Sequence, residues 1–152
     1  MTTPEHLWLM SRTFYDEGWI RLAKVVKGLN YFLHHCLLPF EAKVGTGLQL
    51  DHYALGVVLH PQIEIGDDCR IYHHVTLASE SCIGSEHKII LGNRVTIGAH
   101  SIVVARSNTT LRIGDGAFIG AGSVVLGEVP AGEVWAGNPA RKIRSDRRRV
   151  HE

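Results

Sequence analysis

The stretch Ile113-Gly114-Asp115-Gly116-Ala117-Phe118-Ile119-Gly120-Ala121-Gly122-Ser123-Val124-Val125 decides the fold. Ile113, Ile119 and Val125 stand six residues apart, and glycine follows the first two. Ala117 and Ser123, both small, precede the next rung by two places. The same step runs upstream through Leu91, Ile97 and Val103, and before that through Leu59, Ile65, Ile71, Leu77 and Ile83. Gly66, Gly84, Gly92 and Gly98 repeat the glycine, and Cys69, Val75, Ser81, Val95 and Ser101 repeat the small or β-branched position. Val44-Gly45 and Leu50 extend the ladder further back.

Neither the 3.6-residue period of a helix nor the alternation of a half-buried strand produces a step of six. A triangular solenoid does, with one short strand and one corner per hexad and three hexads per coil. The aliphatic residue points into a narrow core, the small residue fills the space beside it, and glycine accepts corner conformations that other residues resist. Coils then stack at about 4.8 Å through strand hydrogen bonds. A glycine-rich β-sandwich would not hold so strict a step. The ladder breaks in three places: between Leu50 and Leu59, between Leu77 and Leu91, and between Val103 and Ile113. Ser107-Asn108-Thr109-Thr110 is the expected bulge of the last break. Ile83 is either a rung or part of an outward excursion.

Composition agrees with one soluble domain: 152 residues, 45 % hydrophobic, 20 % charged and a net charge of +1, which argues against a general nucleic-acid binder. Trp8, Phe14, Tyr15, Trp19, Tyr31 and Phe32 crowd the first forty residues, whereas most glycines fall later, so a boundary is expected near Pro39. Residues 1–38 read as a helical segment capping the solenoid's open end, 39–140 as the solenoid, and 141–152 as a basic tail containing Arg147, Arg148 and Arg149. Cys36, Cys69 and Cys82 form neither a CxxC motif nor an even set, which suggests a reducing compartment. Neither a signal peptide nor an integral membrane segment is expected, and the cytoplasm is the default location.

Ten histidines are many. His52 follows rung Leu50 by two places and His73 follows rung Ile71 by two. If the three surplus residues after Leu50 bulge outward, these imidazoles stack on one edge, one coil apart. His87 lies in the excursion before Leu91. An imidazole with a pKa of about 6.5 suits a general base acting on a hydroxyl at neutral pH. Three imidazoles could instead hold a metal. His60, His74 and His100 read as structural.

Several segments resemble the serine acetyltransferase-like branch of the hexapeptide-repeat acyltransferases. They are Leu50-Asp51-His52, Gly56-Val57-Val58, Val75-Thr76-Leu77, Glu86-His87-Lys88-Ile89, residues 119–125 and Ala136-Gly137-Asn138-Pro139-Ala140-Arg141. The resemblance covers roughly residues 36–143. It implies a left-handed parallel β-helix and transfer of acetyl from acetyl-CoA to a hydroxyl without an acyl-enzyme, with no metal. It implies His52 as the general base and His87 as the group that orients the acceptor. Backbone N–H groups would steady the oxyanion. The pantetheine arm would run by Gly120, Ala121, Ala136 and Gly137, and its phosphates would meet Arg141 and Lys142. A homotrimer with sites between solenoids is also implied.

The departures from that pattern concern the acceptor. The aspartate that orients the base in serine acetyltransferases is Leu37 here, so Asp51 or Glu41 would have to serve. The arginine that clamps the serine carboxylate is Glu86, an anion that would repel one. There is one extra residue between His52 and Gly56, His87 comes one place early, and the family's long N-terminal helical domain is replaced by about forty residues. His73 and Glu86 are then the candidate acceptor contacts. These departures point toward a sugar hydroxyl in a polysaccharide or glycoconjugate. The alternatives are serine itself, a zinc-dependent carbonic anhydrase on the same fold, and a non-catalytic scaffold.

Overall fold

The structure is a computed structural model and describes residues 3–144. Two helices come first. α1 (Pro4–Asp16) starts where the Thr3 side chain accepts the His6 N–H and Pro4 presets the first turn. α2 (Ile20–His34) ends on His35, whose φ of +53° halts the helix while its N–H still reaches the Tyr31 carbonyl. Leu7, Trp8 and Ser11 of α1 and Ala23, Val26 and Asn30 of α2 are buried. Asn30 Nδ2 donates to the Pro4 carbonyl at 2.9 Å, tying the two helices together. Trp8, 1 % exposed, belongs to the solenoid core and donates from Nε1 to the Pro39 carbonyl at 2.7 Å. Glu5 accepts the Leu50 N–H at 3.0 Å, so α1 covers the first coil's strand edge as expected of a cap. Val25, Leu29 and Phe32 on the outer face of α2 stay exposed. Among the described residues no helix is long and apolar enough to cross a membrane.

The remainder is a left-handed parallel β-helix of about four coils. The first coil holds β1 (Lys43–Val44), β2 (Gln49–Leu50) and β3 (Val58–Leu59); the second holds β4 (Ile63–Ile65), β5 (Arg70–Ile71) and β6 (Thr76–Ser79). The third holds β7 (Ile89–Leu91), β8 (Thr96–Ile97) and β9 (Ile102–Ala105); the fourth holds β10 (Leu111–Ile113), β11 (Phe118–Ile119) and β12 (Val124–Val125). One face stacks β1-β4-β7-β10, the second begins β2-β5-β8-β11, and the third is β3-β6-β9-β12. β13 (Val134–Gly137) continues the second face in parallel, and β14 (Ala140–Arg144) turns back antiparallel along it. Arg141 and Lys142 therefore belong to a strand rather than a tail, and Arg147, Arg148 and Arg149 lie outside the described residues.

Every expected rung from Leu50 onward but one is buried. Ile65, Ile71, Leu77, Leu91, Ile97, Val103, Ile113, Ile119 and Val125 are at most 4 % exposed. Ile83 is the exception: at 73 % exposed it takes the second of its two expected places, in the excursion between β6 and β7. Ser101 shows how the small positions work. It is fully buried, and its hydroxyl donates to the Gly120 carbonyl of the next coil at 2.9 Å. The corner between the first and second faces carries a ladder of its own. Thr46 N–H donates to Asp67 Oδ1, Asp67 N–H to Asn93 Oδ1, and Asn93 N–H to Asp115 Oδ1, at 2.7 to 2.9 Å. Each side chain satisfies a backbone donor of the coil before it.

Candidate active site

The corner between the second and third faces collects the imidazoles. Leu50 pairs with Ile71 and Ile71 with Ile97, which puts residues 52, 73 and 99 in register along this edge. The surplus residues after Leu50 do bulge, as a 3-10 turn over Asp51–Ala54. His52, Tyr53 and Ala54 all take positive φ, from 55° to 57°. Three successive non-glycine residues in the left-handed region mark a strained, over-determined turn. His74 and His100 also sit at φ of +54° and +58°, each as the corner residue of its coil. Gly56 sits at φ +68°, and a Cβ there would fall 2.1 Å from the His74 Nδ1, so a side chain at this corner would displace the His74 ring.

The result is a four-imidazole cluster. His52 meets His73 edge-on, with ring centroids 4.7 Å apart and planes at 90°. His73 also meets His100 at 5.2 Å and His74 at 5.6 Å, and His74 stacks on His100 at 4.7 Å. His74 and His100 thus join a cluster that sequence reasoning gave only to His52 and His73. The contact follows from the pairing of β5 with β8 twenty-six residues on, which is also the distance from His74 to His100. Burial, then the His52, His100 and His74 rings, hold the His73 pKa below the ordinary imidazole value, with Asp51 opposing. Its Nδ1 is buried without a hydrogen-bond partner. The rings meet edge to face and face to face, and among the described residues no three side chains are placed as metal ligands.

Asp51 does not orient His52. Both of its oxygens engage Arg70, at 2.5 Å to Nε and 3.0 Å to Nη2, and Arg70 in turn lies over the Tyr72 ring. The Arg70 hydrogen bond holds the Asp51 carboxyl below the usual carboxylate range. Glu41 is also elsewhere, in a groove of about 500 Å³ beside the first face. Leu37 bridges to Val58 on the third face and offers only hydrocarbon. One consequence is measurable. Arg70→Gln should raise the Asp51 pKa toward the ordinary carboxylate range in a carboxyl NMR titration. Because the folded-state value is depressed, the pair's stabilisation is present above the unfolded pKa and is lost as pH falls through the folded one. The variant's stability should therefore fall behind wild type at neutral pH and converge with it in acid.

His87 and Glu86 lie at the other margin of the third face, in the excursion between β6 and β7. Gln62 clamps this loop: its amide donates to the Ser85 carbonyl and, at 3.2 Å, to the His87 carbonyl, and it accepts the Gly84 N–H at 3.0 Å. Glu80 and Ser81 tie the loop's start to Ser107 and Asn108 one coil on. Glu86 faces the same groove as Glu41, Lys43 and Lys88. One chain thus places His52 and His87 on opposite sides of the third face rather than at one corner. Nothing in a single chain's hexad arithmetic assigns Gln62 its part.

Beyond the imidazoles the same edge becomes bare. Gly98 and Ala99, Gly120, Ala121 and Gly122, then Ala136 and Gly137 occupy successive levels. A Cβ on Gly120 would lie 2.8 Å from Ala136 Cβ, whereas one on Gly122 would meet open space. A thin, extended ligand suits such a strip, since Gly120, Ala121, Gly122, Ala136 and Gly137 carry nothing larger than a methyl group. The expected cationic pair is split. Lys142 is engaged by Glu133 at 2.5 Å, while Arg141 has no carboxylate partner among the described residues. Burial pushes the Cys36 thiol up to about 11 and the Cys69 thiol upward, so neither is a nucleophile at neutral pH.

No protein-family profile matches the chain. Among curated proteins it is 37 % identical over 126 residues to the serine acetyltransferase of Helicobacter pylori, covering 83 % of this chain and 71 % of that one. Among solved structures, the serine acetyltransferase of Neisseria gonorrhoeae in complex with serine superposes with a TM-score of 0.81 at 29 % identity, over 93 % of this chain. The serine acetyltransferase of Brucella abortus in complex with coenzyme A superposes with a TM-score of 0.80 at 27 % identity, over 92 % of this chain. The chain spans about half the length of these solved structures (55 % and 54 %).

Proposed function

The chain belongs to the serine acetyltransferase family of hexapeptide-repeat, acetyl-CoA-dependent O-acetyltransferases, and we propose that its acceptor is the serine hydroxyl and its general base His52. The relatives support serine over the sugar that the Leu37 and Glu86 departures suggested. The observation that carries the site is the edge itself, with imidazoles at one end and a bare strip at the other. His52 takes the proton of the acceptor hydroxyl as its oxygen attacks the thioester carbonyl. The tetrahedral intermediate collapses with loss of the CoA thiolate, which receives the proton back from His52. The products are the O-acetyl ester and CoA. The bare strip receives the pantetheine arm, and Arg141 meets the phosphates.

His52 and His87 flank the third face on opposite sides, so their joint action on one acceptor needs a neighbouring copy to supply His87. A homotrimer with sites between solenoids meets that need. Glu86 favours a second reading, a neutral sugar hydroxyl, because a carboxylate repels an amino-acid carboxylate. Thiol release from acetyl-CoA with L-serine or with neutral sugars separates the two. Turnover is expected with serine, and Glu86→Arg should lower its KM about tenfold, equivalent to about 1.4 kcal/mol. Turnover on a sugar with none on serine would establish the second reading instead.

A further inference from the structure

We propose that His73 is the positioning residue for His52, fixing the base's ring through the edge-on contact between them. The inference rests on His52 being the base. A general base needs its imidazole held in one orientation, and a carboxylate commonly does this. Among the described residues no carboxylate is placed to do so. Both Asp51 oxygens are engaged by Arg70, Glu41 lies in the groove by the first face, and Leu37 carries no polar atom.

His73 is the ring against His52, and two further rings, His74 and His100, hold it in turn. Its centroid lies 4.7 Å from His52, 5.2 Å from His100 and 5.6 Å from His74. The backbone beneath is held too, since the His100 N–H donates to the His73 carbonyl at 3.1 Å. His74 and His100, stacked face to face, form a second layer behind it.

The sealed Nδ1 gives the arrangement its sense. An imidazolium must satisfy two N–H donors, and one nitrogen of His73 is buried with nothing to receive a proton's hydrogen bond. His73 therefore stays neutral while His52 gains and loses its proton. The charged and titratable groups around it are His52, His74, His100 and Asp51, the last paired with Arg70. A neutral ring here braces the base without competing for the acceptor's proton. The role is distinct from the acceptor contact expected of His73 from sequence.

The test uses the full chain with acetyl-CoA and L-serine. His73→Ala should lower kcat ten- to a hundredfold, with both KM values within about twofold and the thermal midpoint close to wild type. His73→Phe keeps a flat ring edge and no titratable nitrogen. It should recover most of kcat, with the acid limb of the kcat profile unmoved. Should His73→Ala fold poorly, the Phe variant alone decides. A variant with raised serine KM and unchanged kcat would make His73 an acceptor contact and overturn the proposal. So would a folded Phe variant with kcat a hundredfold or more below wild type, since a proton-carrying role would then be needed. Full activity in His52→Asn overturns the base assignment itself, and that result is read independently of any His73 variant.

Discussion

Replacing His52 with asparagine is expected to lower kcat by about 10² to 10⁴-fold, the usual range for losing a general base, while the fold survives. Asparagine is the informative substitution because His52 occupies φ +55° and ψ +41°. Asn tolerates the left-handed region, whereas alanine there would add backbone strain to the chemical loss. The amide fills much of the imidazole's place but takes no proton at neutral pH. Steady-state thiol release measures the effect, and circular dichroism with a thermal melt checks the fold. Activity within tenfold of wild type would place the base elsewhere on the edge. The backbone strengthens the expectation. Strain in three successive residues, His52 to Ala54, costs free energy that ordinary corners of this solenoid avoid. The regular corners need only one left-handed residue each, such as His74, His100 or Gly122. The extra turn is a departure from the least strained coil, and it is the turn that carries the candidate base.

The fold was legible because its core is periodic. Each buried rung is one hexad from the next wherever the chain does not leave the coil, so arithmetic alone located nine buried positions between Ile65 and Val125. Arithmetic left Ile83 open between rung and excursion for a physical reason. A residue in an outward loop can fall on the six-residue step and be followed by glycine, as Ile83-Gly84 is, without reaching the core. The stacking of His52 on His73 was legible from register, because the surplus after Leu50 is three residues. The contact of His74 with His100 needed the size of the second excursion, which only the pairing of β5 with β8 supplies. Side-chain partnerships were not legible at all. Asp51 stands next to the base in sequence yet turns to Arg70, because a bidentate guanidinium on the adjacent coil binds a carboxylate better than an imidazole edge does. Lys142 of β14 was likewise bound up by Glu133, the residue before β13, through an antiparallel return that carries no hexad signal. Glu86 shows the limit for function. Its charge argued against serine, while relatives of similar sequence are serine acetyltransferases.

The second large effect falls on a residue without a side chain. Gly98→Ala is expected to destabilise the protein and raise the KM for acetyl-CoA, whereas Gly28→Ala should stabilise it. At Gly98 an added Cβ would lie 2.6 Å from the Ala121 nitrogen, 2.8 Å from the Ile119 oxygen and 2.9 Å from the Ala121 Cα. All three are backbone atoms of the next coil, and the Gly98 N–H already donates to that Ile119 oxygen at 2.8 Å. The coil cannot retreat without breaking the stacking bond, so overpacking should cost about 1–3 kcal/mol. What yields is Ala121, part of the bare strip assigned to the pantetheine arm, so binding of the donor suffers with stability. Gly28 is exposed in the middle of α2, and a methyl group added there would meet nothing within 4 Å. Alanine there reduces the entropy lost on helix formation and should gain about 0.5–1 kcal/mol. Thermal melts of the two variants should therefore move in opposite directions. Donor saturation curves should move for Gly98→Ala alone. Equal melts for both would mean that the coils are not stacked closely enough to exclude a methyl group. A lowered melt for Gly98→Ala with an unchanged acetyl-CoA KM would remove Ala121 from the donor site.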